Sequence, residues 1–166
     1  MTSTKKPLWQ LSAGQTTAHI KAGNISCEAV MQAHLDRATQ TQSLNAITTR
    51  YDDQAMSEAR AADQALASGK AVGPLHGVPV TIKENIDQYG LATSNGVRDF
   101  EELYATEDAP LVQNFRTAGA IPMGRTNAPE LCGAFIPTTN YLQLTEPFDL
   151  AGYAQALSKR NHYHRE

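Results

Sequence analysis

The sequence predicts an α/β fold. Helical patterns with one apolar face alternate with short buried strand patterns, and the switches fall at capping residues, glycines and prolines. Hydrophobic residues make up 41% of the chain and charged residues 19%, enough for a packed core and too little charge for a disordered polyelectrolyte. A chain of 166 residues can bury roughly 70% of its unfolded surface, which suits one core.

The elements follow in order. Residues 1–7 read as an N-terminal tail. Ser12 with Gln15 three residues on has the spacing of a capping box, predicting a helix over 12–22 that Gly23 stops. Ser26 caps a longer helix, with Glu28 in its first turn and an apolar stripe of Cys27, Val30, Met31, Leu35 and Ala38. Residues 44–51 read as a strand around Ile47, Thr48 and Thr49. Residues 52–68 form an alanine-rich helix with Ala55, Ala59, Ala62 and Leu66 on one face and Gly69 as its stop. After a turn comes a β-branched run, Val78 to Ile82, in which Pro79 demands a strand end or an edge because it has no N–H to donate. Residues 90–96 are loop. Asp108, with Pro110 in the first turn, starts a helix that turns Leu111, Val112, Phe115 and Ala118 inward and closes at Gly119. A last strand over 120–123 ends at Gly124-Arg125-Thr126-Asn127, and residues 151–166 read as a polar tail.

Several function classes are excluded by composition. A net charge of −3, with no basic block before the last residues, argues against nucleic acid as a direct partner. No apolar stretch approaches the roughly 18 residues of a spanning helix, and Lys5 and Lys6 lack the apolar region of a secretory signal, so no membrane partner and a cytoplasmic location are expected. Cys27 and Cys132 are too few for a disulfide framework. Phosphate- and dinucleotide-binding glycine motifs do not occur.

Among residues able to carry chemistry, Lys83 stands out. It directly follows Val78, Val80 and Ile82, where a buried strand emerges. There it is either a solvated strand-end residue or a base held near apolar surface. His76 reads as a turn residue and Cys27 as core. Cys132 reads as a packed thiol, and His162 and His164 as surface histidines with no third ligand in reach. Asn127 and Glu130, after the last strand, either line a pocket or serve as cap and turn residues.

The segment Gly77-Val78-Pro79-Val80-Thr81-Ile82-Lys83-Glu84-Asn85 resembles the lysine segment of the amidase signature family. Ala92-Thr93-Ser94-Asn95-Gly96, Asp108-Ala109-Pro110-Leu111-Val112 and Gly124-Arg125-Thr126-Asn127-Ala128-Pro129-Glu130 resemble the family's following segments in the same order. The resemblance covers residues 8–150, the N-terminal portion of such enzymes. It implies part of an α/β/α sandwich with a mixed central sheet. It also implies hydrolysis of the C–N bond of a small carboxylic amide to an acid and ammonia or an amine, without metal or cofactor. A Ser–cis-Ser–Lys triad would carry the reaction, and Lys83 is the one member that carries over. A hydroxyl is a weak nucleophile until a base takes its proton, and a neutral lysine behind a bridging hydroxyl can do so.

The similarity breaks off at Glu146-Pro147-Phe148-Asp149-Leu150, where Glu146 stands in place of the family's Asn and residues 140–147 are compressed. Residues 151–166 contain no Gly-Gly and a lone serine, Ser158, so both triad serines are absent and the chain is expected to be inactive by itself. Ser94 is the nearest substitute nucleophile, but it lacks an oxyanion loop. A missing C-terminal polypeptide or a chaperone is the expected partner. The alternatives are a fragment of the A-type subunit of the glutamine-dependent tRNA amidotransferase, and a non-catalytic binding fragment or non-functional product.

Overall fold

A computed structural model describes residues 6–128 of the chain. After a 3-10 turn at Leu8–Gln10 comes α1 (Ala13–Lys21), which opens with the anticipated reciprocal cap. Ser12 Oγ accepts the Gln15 N–H at 3.2 Å, and Gln15 Oε1 accepts the Ser12 N–H at 3.0 Å. Ser26 caps α2 (Cys27–Gln40) by accepting the Ala29 N–H at 3.0 Å. A second cap comes from α3 (Asp52–Ala67): the Asp63 carboxylate accepts the Cys27 N–H at 2.7 Å and the Glu28 N–H at 3.0 Å. One side chain thus satisfies two orphan donors and joins the two helices end to flank.

The strand expected over 44–51 is shorter, β1 (Ile47–Arg50). Gln42–Leu44 is a 3-10 turn and Asn45 takes a left-handed conformation, which a strand cannot absorb. Arg50 anchors β1 to its neighbours, donating to Asp52 at 2.6 Å and to the Leu35 carbonyl at the end of α2 at 3.2 Å. β2 (Pro79–Lys83) begins with its proline, the strand end at which a missing donor is tolerated, and among the described residues it is the outer strand beside β3.

α4 (Pro110–Thr117) starts two residues later than expected. Asp108 is committed elsewhere, accepting the Tyr89 N–H at 2.8 Å and the Arg116 Nε–H at 3.1 Å. Val112 is the buried residue of α4, whereas Leu111, expected inward, is 47% exposed. β3 (Ile121–Thr126) runs three residues beyond the predicted strand end. Gly124 and Arg125 resemble a turn in sequence, but they lie in the middle strand, whose backbone groups pair on both sides.

The sheet order is β1-β3-β2, with β1 antiparallel and β2 parallel to β3. One face of the sheet packs on α2 and α3. The core there joins Ile20, Val30, Met31 and Leu35 to Ala55, Ala59, Ile121 and Met123. Each large side chain fully buried this way contributes roughly 1.5–3 kcal/mol. Cys27 belongs to this core: burial, then the adjacent Asp63 carboxylate, push its thiol up to about 12, so it is an inert packed thiol as the stripe implied.

Candidate active site

β2 and β3 run parallel, so their carboxyl ends fall together, the place where open α/β sheets gather functional groups. Lys83 is the last residue of β2, paired with Thr126, and its side chain is exposed. One residue on, the Glu84 N–H continues the ladder to the Thr126 carbonyl at 2.9 Å. The backbone that carries Lys83 is therefore fixed by β3 on one side, while the chain beyond it folds back as a loop.

That loop is held by a buried polar group that local sequence patterns do not reveal. Arg125, 3% exposed on β3, donates through Nη1 to the Ala92 carbonyl. Through Nη2 it donates to the carbonyls of Glu84 and Ile86, the latter at 3.1 Å. Among the described residues no carboxylate pairs with it. A buried cation costs several kcal/mol unless its hydrogen bonds are made, and these are made to main-chain carbonyls on both sides of one loop. The Glu84 carboxylate supplies a second latch, accepting the Ser94 N–H at 2.6 Å.

Ser94 is buried, and its hydroxyl accepts the Gly96 N–H at 3.2 Å, a bond internal to the loop. Glu84, Ser94 and Arg125 line a cavity of about 340 Å³ with Thr48, Thr49 and Glu101. Among the described residues Glu84 Oε2 and Arg125 Nε have no hydrogen-bond partner.

The remaining candidates sort by burial. His76 is 6% exposed and its Nε2 donates to the Ala62 carbonyl at 3.2 Å, which pins the turn before β2 to α3. It also packs on Gly119, where an added Cβ would lie 2.9 Å from the His76 Cα. Asn127 is buried directly after β3. Glu130, Cys132, His162 and His164 lie outside the described residues. Among the described residues there is no group of three or more His, Cys, Asp or Glu that could hold a metal ion, and no helix is long and apolar enough to cross a membrane.

No local pattern in the sequence marks Arg125 as interior. It is a charged residue two positions after Met123, and only the sheet register that sets it opposite Ile82 shows it to be interior.

In comparison with known proteins, the sequence profile named Amidase matches residues 29–151. The chain belongs to the Amidase family. This Amidase-family chain is 46% identical over 127 residues to an indoleacetamide hydrolase of Bradyrhizobium diazoefficiens, covering 76% of the chain and 24% of that protein. It is 36% identical over 148 residues to the A-type subunit of the glutamyl-tRNA(Gln) amidotransferase of Acidothermus cellulolyticus, covering 84% of the chain and 28% of that protein. Among solved structures, a fatty acid amide hydrolase superposes with a TM-score of 0.81 at 26% identity, over 88% of this chain and 26% of that one. The chain thus spans about a quarter of the length of the relatives it matches. The α/β architecture with a small mixed sheet is that of amidase-signature enzymes.

Proposed function

We propose that residues 8–150 form the lysine-bearing N-terminal part of an amide hydrolase, with residues 151–166 a separate tail, and that Lys83 is the base of a Ser–cis-Ser–Lys relay. The observation that carries this reading is the placement of Lys83. It ends a parallel strand and opens onto a loop fastened to the neighbouring strand. In such a relay the neutral amine takes the proton of a bridging serine, which takes that of the nucleophilic serine. The serine oxygen attacks the amide carbon, the C–N bond breaks, and the nitrogen leaves with the relayed proton as ammonia or an amine. Water then cleaves the acyl ester.

The 46% identity to an indoleacetamide hydrolase favours a small primary carboxamide over a tRNA-linked substrate. Within these 166 residues no Gly-Gly-Ser-Ser segment occurs, so the polypeptide alone is expected to release no ammonia from indoleacetamide. Turnover by the purified chain that is lost on Lys83→Ala would overturn that expectation. The role of Lys83 is tested in a chimera. Residues 29–128 replace the matching stretch of the Bradyrhizobium enzyme, and ammonia release from indoleacetamide is followed. Lys83→Ala is expected to lower kcat on the order of 10²–10⁴-fold, the usual weight of a positioned acid or base. A chimera whose Lys83→Ala variant keeps kcat within tenfold rules the lysine out as the base.

A further inference from the structure

We propose that Arg125 is a positioning residue for Lys83. The inference rests on the reading of Lys83 given above and extends it to the group that fixes the strand end from which Lys83 projects. Three observations support it. The guanidinium donates to the carbonyls of Glu84, Ile86 and Ala92, so both limbs of the loop that leaves β2 at Lys83 are fastened to β3. Arg125 is 3% exposed, and among the described residues it pairs with no carboxylate. Its hydrogen bonds therefore serve the shape of the loop rather than the neutralisation of an acid. The Glu84 carboxylate, next to Lys83, accepts the Ser94 N–H at 2.6 Å and closes the same loop from its other end.

A rigid planar fork is what this task requires. Arginine presents five donors in fixed directions, and a lysine ammonium on a flexible stem cannot span three separated carbonyls. Supporting groups of this kind keep a reactive side chain within a fraction of an ångström of its working position.

The test uses the 166-residue chain and needs no turnover, so it can fail separately from the turnover test of Lys83 itself. Arg125→Met and the charge-retaining Arg125→Lys are compared with the parent by backbone amide exchange and by competitive acylation of lysines with acetic anhydride across pH. The Ile86 and Ser94 amides, bonded to the Lys83 carbonyl and the Glu84 carboxylate, are expected to exchange at least tenfold faster in both variants. The Tyr51 amide, bonded to the Met123 carbonyl at 3.1 Å, should stay within about twofold. Acylation of Lys83 should rise at least threefold relative to Lys70, with a changed pH profile, because a merely structural loss would move both lysines together. Three results overturn the proposal: an unchanged Lys83 to Lys70 ratio, a uniform loosening of all amides, or failure of both variants to fold. The last two would make Arg125 a general core residue.

Discussion

Asp63→Ala tests the helix-to-helix cap at its strongest point. The carboxylate accepts two N–H groups of the first turn of α2, at 2.7 and 3.0 Å. Cys27, the owner of one, is fully buried, so its N–H has no route to water when the acceptor is removed. A buried donor left unmade costs about 1–3 kcal/mol, and hydrogen bonds to a charged group are worth about 1.5–3 kcal/mol each, though not additively. Ser26 still caps the Ala29 N–H and limits the loss. The expected destabilisation is about 2–4 kcal/mol for Asp63→Ala, and roughly half that for Asp63→Asn, which keeps one acceptor in place. At about 4 °C per kcal/mol for an ordered region of this size, Tm falls roughly 8–16 °C by circular dichroism. A second readout follows from the Cys27 thiol, held up near 12 first by burial and then by Asp63. Asp63→Ala should therefore accelerate alkaline labelling of Cys27. A change in unfolding free energy below about 0.5 kcal/mol, with unchanged thiol labelling, would refute the reasoning.

Two further predictions concern the same region. Gly77 has φ +73°, and a Cβ there would meet Cys27 Sγ at 2.4 Å and Ile20 Cδ1 at 2.9 Å. Backbone strain of about 1–2 kcal/mol and overpacking of about 1–3 kcal/mol make Gly77→Ala cost about 2–5 kcal/mol in urea unfolding; a neutral substitution would contradict the packing. Alkaline pH should also destabilise the fold. Burial first of all raises Cys27 from 9.0 to about 12 and Tyr51 from 10.0 to about 12. The unfolded chain loses these protons first, so stability is complete below pH 9 and falls as pH climbs toward 12. The slope reaches about 1.4 kcal/mol per pH unit for each group, and a flat profile between pH 9 and 11 in urea titrations would disprove it.

The helices were legible because their signals are local. Ser12 and Gln15 satisfy each other across one turn, and the apolar stripe of α2 buries Cys27, Val30, Met31 and Leu35 together. The place of Pro79 at the start of β2 was legible from its one missing donor, which left a strand end or an edge open. What escaped depends on residues distant in the chain. Asp63 is an ordinary exposed-face candidate until α3 lies beside the start of α2. Gly124-Arg125 has turn chemistry, yet a Cβ at 124 would lie 2.6 Å from Ile47 Cγ2 and from the Thr49 carbonyl oxygen, so glycine serves close strand approach rather than a bend. The position of Lys83 was readable from the β-branched run before it. The Arg125 fork beneath its loop was not, because three main-chain acceptors leave no mark in a sequence.

The order of strands has a consequence for how the chain acquires its shape during synthesis. The middle strand, β3, is the last of the described elements to be made, and its contact with β1 joins Thr48 to Arg125 across 77 positions. Neither β1 nor β2 has its ladder partner until β3 leaves the ribosome. During that interval the nascent α2 and α3 can pair locally, but the residues awaiting Ile121 and Met123 stay wet. Translation through this stretch therefore passes a window in which two unpaired strands and a half-covered apolar face are open to misassociation.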